Sequence, residues 1–162
     1  GMLSDMRLCI LEPDLITYNA AISSLEKNDR WHDALGMVSG MRLRQVDPCA
    51  SNYCAAMSAC GKGVRWHEAV SMLSGMRLRQ LGPRVVDFNV VINAFGKSTR
   101  WHQALDIVRD MGLRRLEPDV ITHNTAINAC AKGAQWHEAL GLLLDARLRR
   151  LEPDVITHNT AI

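Results

Sequence analysis

Apolar residues fall along this chain in two helical rhythms, which alternate and then begin again 35 residues later. In the first rhythm His123, Ile127 and Cys130 stand at i, i+4 and i+7, places held by Tyr18, Ile22 and Leu25 and by Phe88, Ile92 and Phe95 in other copies. That spacing gives a helix one face built for burial. In the second, Trp136, Ala139, Leu140, Leu143 and Ala146 stand at i, i+3, i+4, i+7 and i+10. Trp31, Ala34, Leu35, Val38 and Met41 repeat it, as do Trp66, Ala69, Val70, Leu73 and Met76, and Trp101, Ala104, Leu105, Val108 and Met111. An alanine kept among larger residues points to close helix approach.

Punctuation agrees with the rhythm. The first helix is expected over the second to thirteenth residues of each copy, as in Ile121 to Lys132, behind a Pro-Asp whose carboxylate suits a helix start. Asn28-Asp29, Gly63 and Gly133 mark the turn that follows. Arginines crowd the end of the second helix (Arg42 and Arg44, Arg77 and Arg79, Arg147, Arg149 and Arg150), where cations complement the dipole. Pro48, Pro83, Pro118 and Pro153 then stop it.

The period is confirmed by an exact duplication: Leu116 to Ile127 returns unchanged at Leu151 to Ile162, and Leu11 to Ile22 differs at three of twelve positions. Four complete units result, 15–49, 50–84, 85–119 and 120–154, with 1–14 reading as the closing half of a truncated unit and 155–162 as the opening half of another. A single pair of such helices cannot bury both apolar stripes, whereas stacked pairs can. The expected fold is therefore all-α, an α-solenoid forming one domain.

Composition narrows the function classes. With 48% hydrophobic and 22% charged residues the chain is expected to fold throughout, and a net charge of +2 does not by itself require an anionic partner. The cysteines (Cys9, Cys49, Cys54, Cys60, Cys130) are odd in number and contain no C-x-x-C pair, against a disulfide scaffold or zinc ribbon. No pattern of metal ligands, no Gly-rich phosphate loop and no H-x-E followed by C-x-x-C occurs, so neither catalytic residues nor a metal or cofactor is expected. No apolar run is long enough to span a bilayer.

A second stripe on the first helix is not core. Positions 2, 5, 9 and 13 of each unit cluster on another side at about 100° per residue. They hold Ile16, Asn19, Ser23 and Lys27; Ser51, Cys54, Ser58 and Lys62; Val86, Asn89, Asn93 and Lys97; and Ile121, Asn124, Asn128 and Lys132. An amide both donates and accepts and can read a base edge, an aliphatic chain can press on a base face, and a lysine meets a phosphate. Single-stranded RNA, read one base per helical repeat, meets all three demands.

These residues carry a resemblance. The 35-residue period, the opening V-I-T-H-N-T-A-I, the alanine of W-H-E-A-L and the closing L-E-P-D resemble the pentatricopeptide repeat family over the whole chain. The resemblance implies a right-handed superhelix in which the fifth and last residues of a unit jointly select a base. It places the second residue as a wedge between bases and the lysine at position 13 near phosphates. Base selection would fall to Asn19, Asn89 with Asp119, Asn124 with Asp154, and to Asp14 and Asn159, each without its partner in the chain. The wedges would be Ile16, Val86, Ile121 and Ile156, and the phosphate contacts Lys27, Lys62, Lys97 and Lys132. The family's Asn/Asp combination favours uridine, so units 85–119 and 120–154 imply two adjacent uridines, the RNA running 5′ to 3′ with the chain. Asn19 with Cys49 has no standard meaning, and Cys54 with Arg84, behind Ser51 at the wedge, is assigned no base. The implied setting is RNA processing, editing, stability or translation in a mitochondrion or chloroplast.

Plainer readings compete. Asn in a first helical turn often bonds its own backbone, the aspartates cap helices, and the lysines suit a helix C-terminus. The Trp-His pairs could be stacking platforms for bases, but the tryptophans keep the packing period, and burying such a ring hides ~150–250 Å². The rival function is a protein-binding scaffold of the tetratricopeptide type, which has a 34-residue period and a different Trp/Gly/Tyr pattern. A degenerate array that folds without binding tightly is a further reading. Self-association through uncapped ends is also expected.

Overall fold

The computed structural model describes residues 14–149 and 151. Among the described residues eight helices of thirteen residues follow one another: α1 (Leu15–Lys27), α2 (Trp31–Leu43), α3 (Ala50–Lys62), α4 (Trp66–Leu78), α5 (Val85–Lys97), α6 (Trp101–Leu113), α7 (Val120–Lys132) and α8 (Trp136–Leu148). No strand occurs among the described residues. The first helix of each pair starts one residue earlier than the periodicity suggested, because Asp14 and Asp119 stand outside it as N-caps.

The odd-numbered helices stack directly, α1 on α3, α3 on α5 and α5 on α7. Helices α2, α4 and α6 each pack between the first helix of their own unit and that of the next, as α2 does between α1 and α3, and α8 packs on α7. Backbones of the even-numbered helices do not approach one another among the described residues. Side chains bridge them instead, as in Arg77 of α4 and Asp110 of α6 at 3.7 Å. One close layer and one splayed layer curve the array toward the close one, so the odd-numbered helices line its inner side. This is the α-solenoid that the two rhythms predict.

Small residues make the close layer close. Positions 3 and 10 of the first helix join the expected core positions: Asn52, Asp87 and Thr122 are fully buried, and so are Ala59, Ala94 and Ala129. A Cβ at Gly96 would lie 3.0 Å from that of Ala129 and 3.3 Å from its Cα. The invariant alanines of the second helices, Ala34, Ala69, Ala104 and Ala139, are buried as expected.

Trp31, Trp66 and Trp101 lock one unit to the next, whereas Trp136 is 59% exposed. Trp31 lies on the turn at Gly63, where a Cβ would come within 2.7 Å of its ring, and Trp101 lies on Gly133, where the distance would be 2.3 Å. Trp66 packs on Phe95, with ring centroids 5.4 Å apart. Arg65 covers Trp31 at 4.4 Å and Arg100 covers Trp66 at 4.2 Å, cation–π contacts across the same junctions. These rings serve packing, while their histidine neighbours His32, His67, His102 and His137 are exposed.

Gly63 and Gly133 thus answer to space and not to backbone freedom. The left-handed residue of each turn is the next one or its equivalent: Asp29 (φ 56), Val64 (φ 59), Thr99 (φ 55) and Ala134 (φ 55). Each is followed by an amide that reaches back to the helix, as Arg65 N to the Cys60 carbonyl oxygen at 2.9 Å and Gln135 N to that of Cys130 at 2.9 Å. This is the Schellman closure.

Candidate nucleic-acid interface

On each first helix the residues at positions 2, 9 and 13 face outward. Ile16, Val86 and Ile121 are exposed (75%, 46% and 62%), as are the leucines that end the second helices, and these three stand free to press on a ligand. Ser51 is exposed at the same place. Ser23, Asn93 and Asn128 are exposed, Ser58 is half-buried and donates to Glu26 Oε1 at 2.7 Å. Lys27, Lys62, Lys97 and Lys132 are all exposed. Two of them reach back one unit: Lys62 Nζ donates to the Glu26 carbonyl oxygen at 3.1 Å, and Lys97 Nζ to that of Gly61 at 3.0 Å. Each ammonium has three donors, so an anion can still be met beside the helix end that holds it.

The fifth residues are less free than the outward stripe suggests. Asn89 is only 8% exposed. Its Nδ2 donates to Asp119 Oδ1 at 3.3 Å, and its Oδ1 accepts from Thr122 Oγ1 at 2.7 Å. The fifth and last residues of unit 85–119 are therefore brought together and braced by the third residue of the next unit. One amide N–H, one amide lone pair and the far carboxylate oxygen remain for a ligand. In unit 15–49, Asn19 is half-buried and its Oδ1 accepts from Asn52 Nδ2 at 2.7 Å. Asn124 is half-buried too. Its expected partner Asp154 lies outside the described residues, as do Ile156 and Asn159; Asp14 is described and exposed.

The third residue was not singled out by periodicity, yet it organises every junction. Where the preceding residue is aspartate, the third is threonine: Asp14 Oδ1 accepts from Thr17 N and Oγ1 at 2.8 Å each, and Asp119 Oδ1 accepts from Thr122 N at 2.7 Å and shares the single Thr122 hydroxyl proton with Asn89 Oδ1, the Oγ1 lying 2.8 Å away. Where it is not, the third residue supplies the acceptor. Asn52 Oδ1 receives the Cys49 amide at 2.9 Å, and Asp87 Oδ2 the Arg84 amide at 2.8 Å. Both schemes satisfy helix-start amides. The signal was present in the sequence as a three-residue coupling, Asp with Thr against Cys with Asn and Arg with Asp.

Electrostatics follow from these bonds. Burial raises Asp119, but the Thr122 amide and hydroxyl and the Asn89 amide outweigh it and hold the carboxyl below its ordinary value. Asp145 behaves likewise: burial raises it, and bonds from His123 and Arg149 more than offset this. His123 is buried, with Nε2 3.0 Å from Asp145 Oδ2 and Nδ1 3.0 Å from the Asp119 carbonyl oxygen, so it ties the N-terminal end of α7 to α8. Folded-state values below the unfolded ones contribute stability that is complete above about pH 4 and is lost as pH falls through the folded values. The urea midpoint should therefore fall as pH drops below about 4, and the double variant Asp119→Asn, Asp145→Asn should flatten that limb. An unchanged acid limb in the variant would show that these two carboxylates do not drive it.

Among the described residues no three His, Cys, Asp or Glu side chains gather as a metal site, and no helix is long and apolar enough to cross a membrane.

Comparison with known proteins gives a consistent picture. A family model described as PPR repeat matches residues 16–46, 51–81 and 121–150, and one described as PPR repeat family matches 83–132. No curated protein matches. Among solved structures, the pentatricopeptide repeat protein PPR10 from maize is 24% identical with a TM-score of 0.76, covering 98% of this chain and 23% of its own. PPR10 in complex with an 18-nt psaJ RNA element superposes at a TM-score of 0.83 over 93% of this chain, again with 24% identity and 23% of PPR10 covered. The PPR domain of Arabidopsis thaliana protein-only RNase P 1 in complex with tRNA gives a TM-score of 0.82 at 12% identity, covering 96% of this chain and 82% of that one. The chain thus spans about a quarter of the length of PPR10.

Proposed function

Since the chain belongs to the pentatricopeptide repeat family, matched by family models over well over half its length, we propose that it binds single-stranded RNA one base per unit. The observation that carries this reading is the Asn89–Asp119 pair, 3.3 Å apart, with exposed Val86 and Ile121 on the flanking wedge positions. A uracil between those aliphatic chains offers carbonyl oxygens to the free Asn89 N–H and an imide N–H to the carboxylate. The sequence of unit 120–154 carries the same residue types at these positions, Asn124 and Asp154 with Ile156 following, so the preferred ligand contains two adjacent uridines. The function is non-catalytic occupation or presentation of a transcript, in mitochondrial or chloroplast RNA metabolism. A protein-binding scaffold is the rival, and nothing in its chemistry asks for an amide–carboxylate pair between exposed aliphatic residues.

The test is equilibrium binding to single-stranded RNAs differing in bases at the two expected uridine positions. UU should be preferred, and Asn124→Thr should move the preference at the second position from uridine toward guanosine, about tenfold on the scale of one hydrogen-bonded base contact. Equal binding to all sequences, or a variant with unaltered preference, would reduce Asn124 to a structural residue.

A further inference from the structure

Unit 50–84 departs from its neighbours at all three residues that build a reading position. Cys54 stands at the fifth place, Arg84 at the last, and Asp87 braces the junction where unit 120–154 has Thr122. These departures are coupled. Asp87 is fully buried, and its Oδ2 accepts the Arg84 backbone amide at 2.8 Å and lies 3.9 Å from Arg84 Nε. Its Oδ1 is buried with no hydrogen-bond partner among the described residues. The Cys54 thiol lies against the same carboxyl; burial first, and then Asp87, raise it to about 11, so it is a neutral and small group. The Arg84 side chain is 65% exposed.

The polarity of this position is the reverse of that in unit 85–119. There a carboxylate and an amide offer acceptors and one donor; here the exposed group carries only donors. A buried carboxylate is costly unless a cation attends it, and Arg84 is that cation. Nε is the nitrogen 3.9 Å from Asp87, which leaves the terminal nitrogens of this largely exposed side chain as a planar fork. Had aspartate stood at 84, Asp87 would have opposed it; the arginine makes the buried acid tenable.

A guanidinium fork matches two adjacent acceptors on one base edge. Guanine presents O6 and N7 side by side, adenine places an N–H₂ donor beside N7, and uracil separates its carbonyls by an N–H donor. Cytosine offers an adjacent ring nitrogen and carbonyl, but it is the smaller ring, and Cys54 leaves more room than asparagine does. We propose that unit 50–84 selects guanine, with Arg84 as the residue that determines specificity and Asp87 as the residue that positions it. This rests on the RNA-binding reading, and by the family's polarity it places the guanosine immediately 5′ of the two uridines.

Four single-stranded RNAs, differing only in the base immediately 5′ of UU and otherwise flanked by adenosines, test it by fluorescence anisotropy. Guanosine should be favoured by about tenfold, as for one bidentate contact. Arg84→Ala should abolish that preference and leave the preference for the uridines intact. Arg84→Lys, which keeps the charge and loses the fork, should abolish it too. Asp87→Asn keeps the cap that Asn52 makes at the previous junction; it should hold the thermal midpoint while the guanosine preference falls. Several results would overturn the proposal: a preference for cytidine, no preference at this position, or an Arg84→Lys variant that reads guanosine as well as the parent. An Arg84→Ala variant that weakens all four RNAs equally and lowers the salt slope by about 0.7 would make Arg84 a phosphate contact instead. If UU-containing RNA binds no better than RNA lacking UU, the failure lies in the function on which the proposal rests. An Asp87→Asn variant with undiminished preference would remove Asp87 alone from the account.

Discussion

Gly96→Leu should separate α5 from α7 and lower the stability of the array by about 3 kcal/mol or more, the upper part of the range for overpacking. Any Cβ at residue 96 meets Ala129 at 3.0 Å from its side chain and 3.3 Å from its Cα. The obstacle is backbone and not a flexible side-chain end, so the helices themselves must move. Moving them also opens the seam around Ala94 and Ala129, both buried against the neighbouring helix. In a repeat array each interface contributes nearly independently, so weakening one decouples the units on its two sides. Urea unfolding followed by circular dichroism should therefore change from one transition to two. Gly112→Leu is the matched control, since a Cβ at residue 112 meets nothing within 4 Å. It should be neutral or stabilising by up to about 1 kcal/mol, because glycine is a poor helix former. A Gly96→Leu protein as stable as the control would show that the first helices do not stack this closely.

The same seam shows what could be read in advance and what could not. The 35-residue period, the order of helices, the turn positions and the outward stripe were legible because each follows from a recurrence visible in one dimension. The burial of Asn52, Asp87 and Thr122 was not, since a polar residue one place from the core stripe reads as exposed until a neighbouring helix covers it. Covering it required knowing how the first helices stack. Gly63 and Gly133 marked their turns, but their role there was not legible: the left-handed conformation falls on Val64 and Ala134, and the glycines make room for Trp31 and Trp101. Long-range pairings were also illegible singly. Position 4 carries Tyr53 where the opposing second helix has Gly75, whose Cβ would lie 3.2 Å from the ring, and it carries His123 where that helix has Asp145. Each pair makes sense only once two residues 22 apart are known to touch.

The candidate site divides along the same line. Ile16, Val86 and Ile121 could be placed on the outward face from sequence because exposure of an aliphatic residue is set by the helix face alone. The Asn89–Asp119–Thr122 arrangement depends on three segments meeting, which periodicity cannot express. Its chemical consequence is that the amide is held before any ligand arrives. A base then meets groups whose freedom has already been lost on folding, which reduces the cost of binding.

Replacing Lys27, Lys62, Lys97 and Lys132 together by glutamine should have the largest effect on RNA binding. If each lysine meets one phosphate, the logarithm of the affinity falls with the logarithm of salt at a slope of about −0.7 × 4, near −3. Raising salt from about 50 to 200 mM would then weaken the parent protein roughly 50-fold, whereas the fourfold variant should bind weakly at both concentrations and respond little. Glutamine is chosen because its amide can still donate to the carbonyl oxygens of Glu26 and Gly61 that Lys62 and Lys97 now reach, so the helix ends keep their partners. Base preference should survive, because phosphate contacts position the strand and base contacts specify it. A variant with the parent's salt slope would assign these lysines to the helix ends alone. A variant that loses base preference together with affinity would mean that the lysines set the register of the strand against Asn89 and Asn124. Retained selectivity at reduced affinity is the outcome that separates charge from reading, and it follows from the lysines standing at the far end of each first helix, two turns beyond Asn89 and Asn124 in their units.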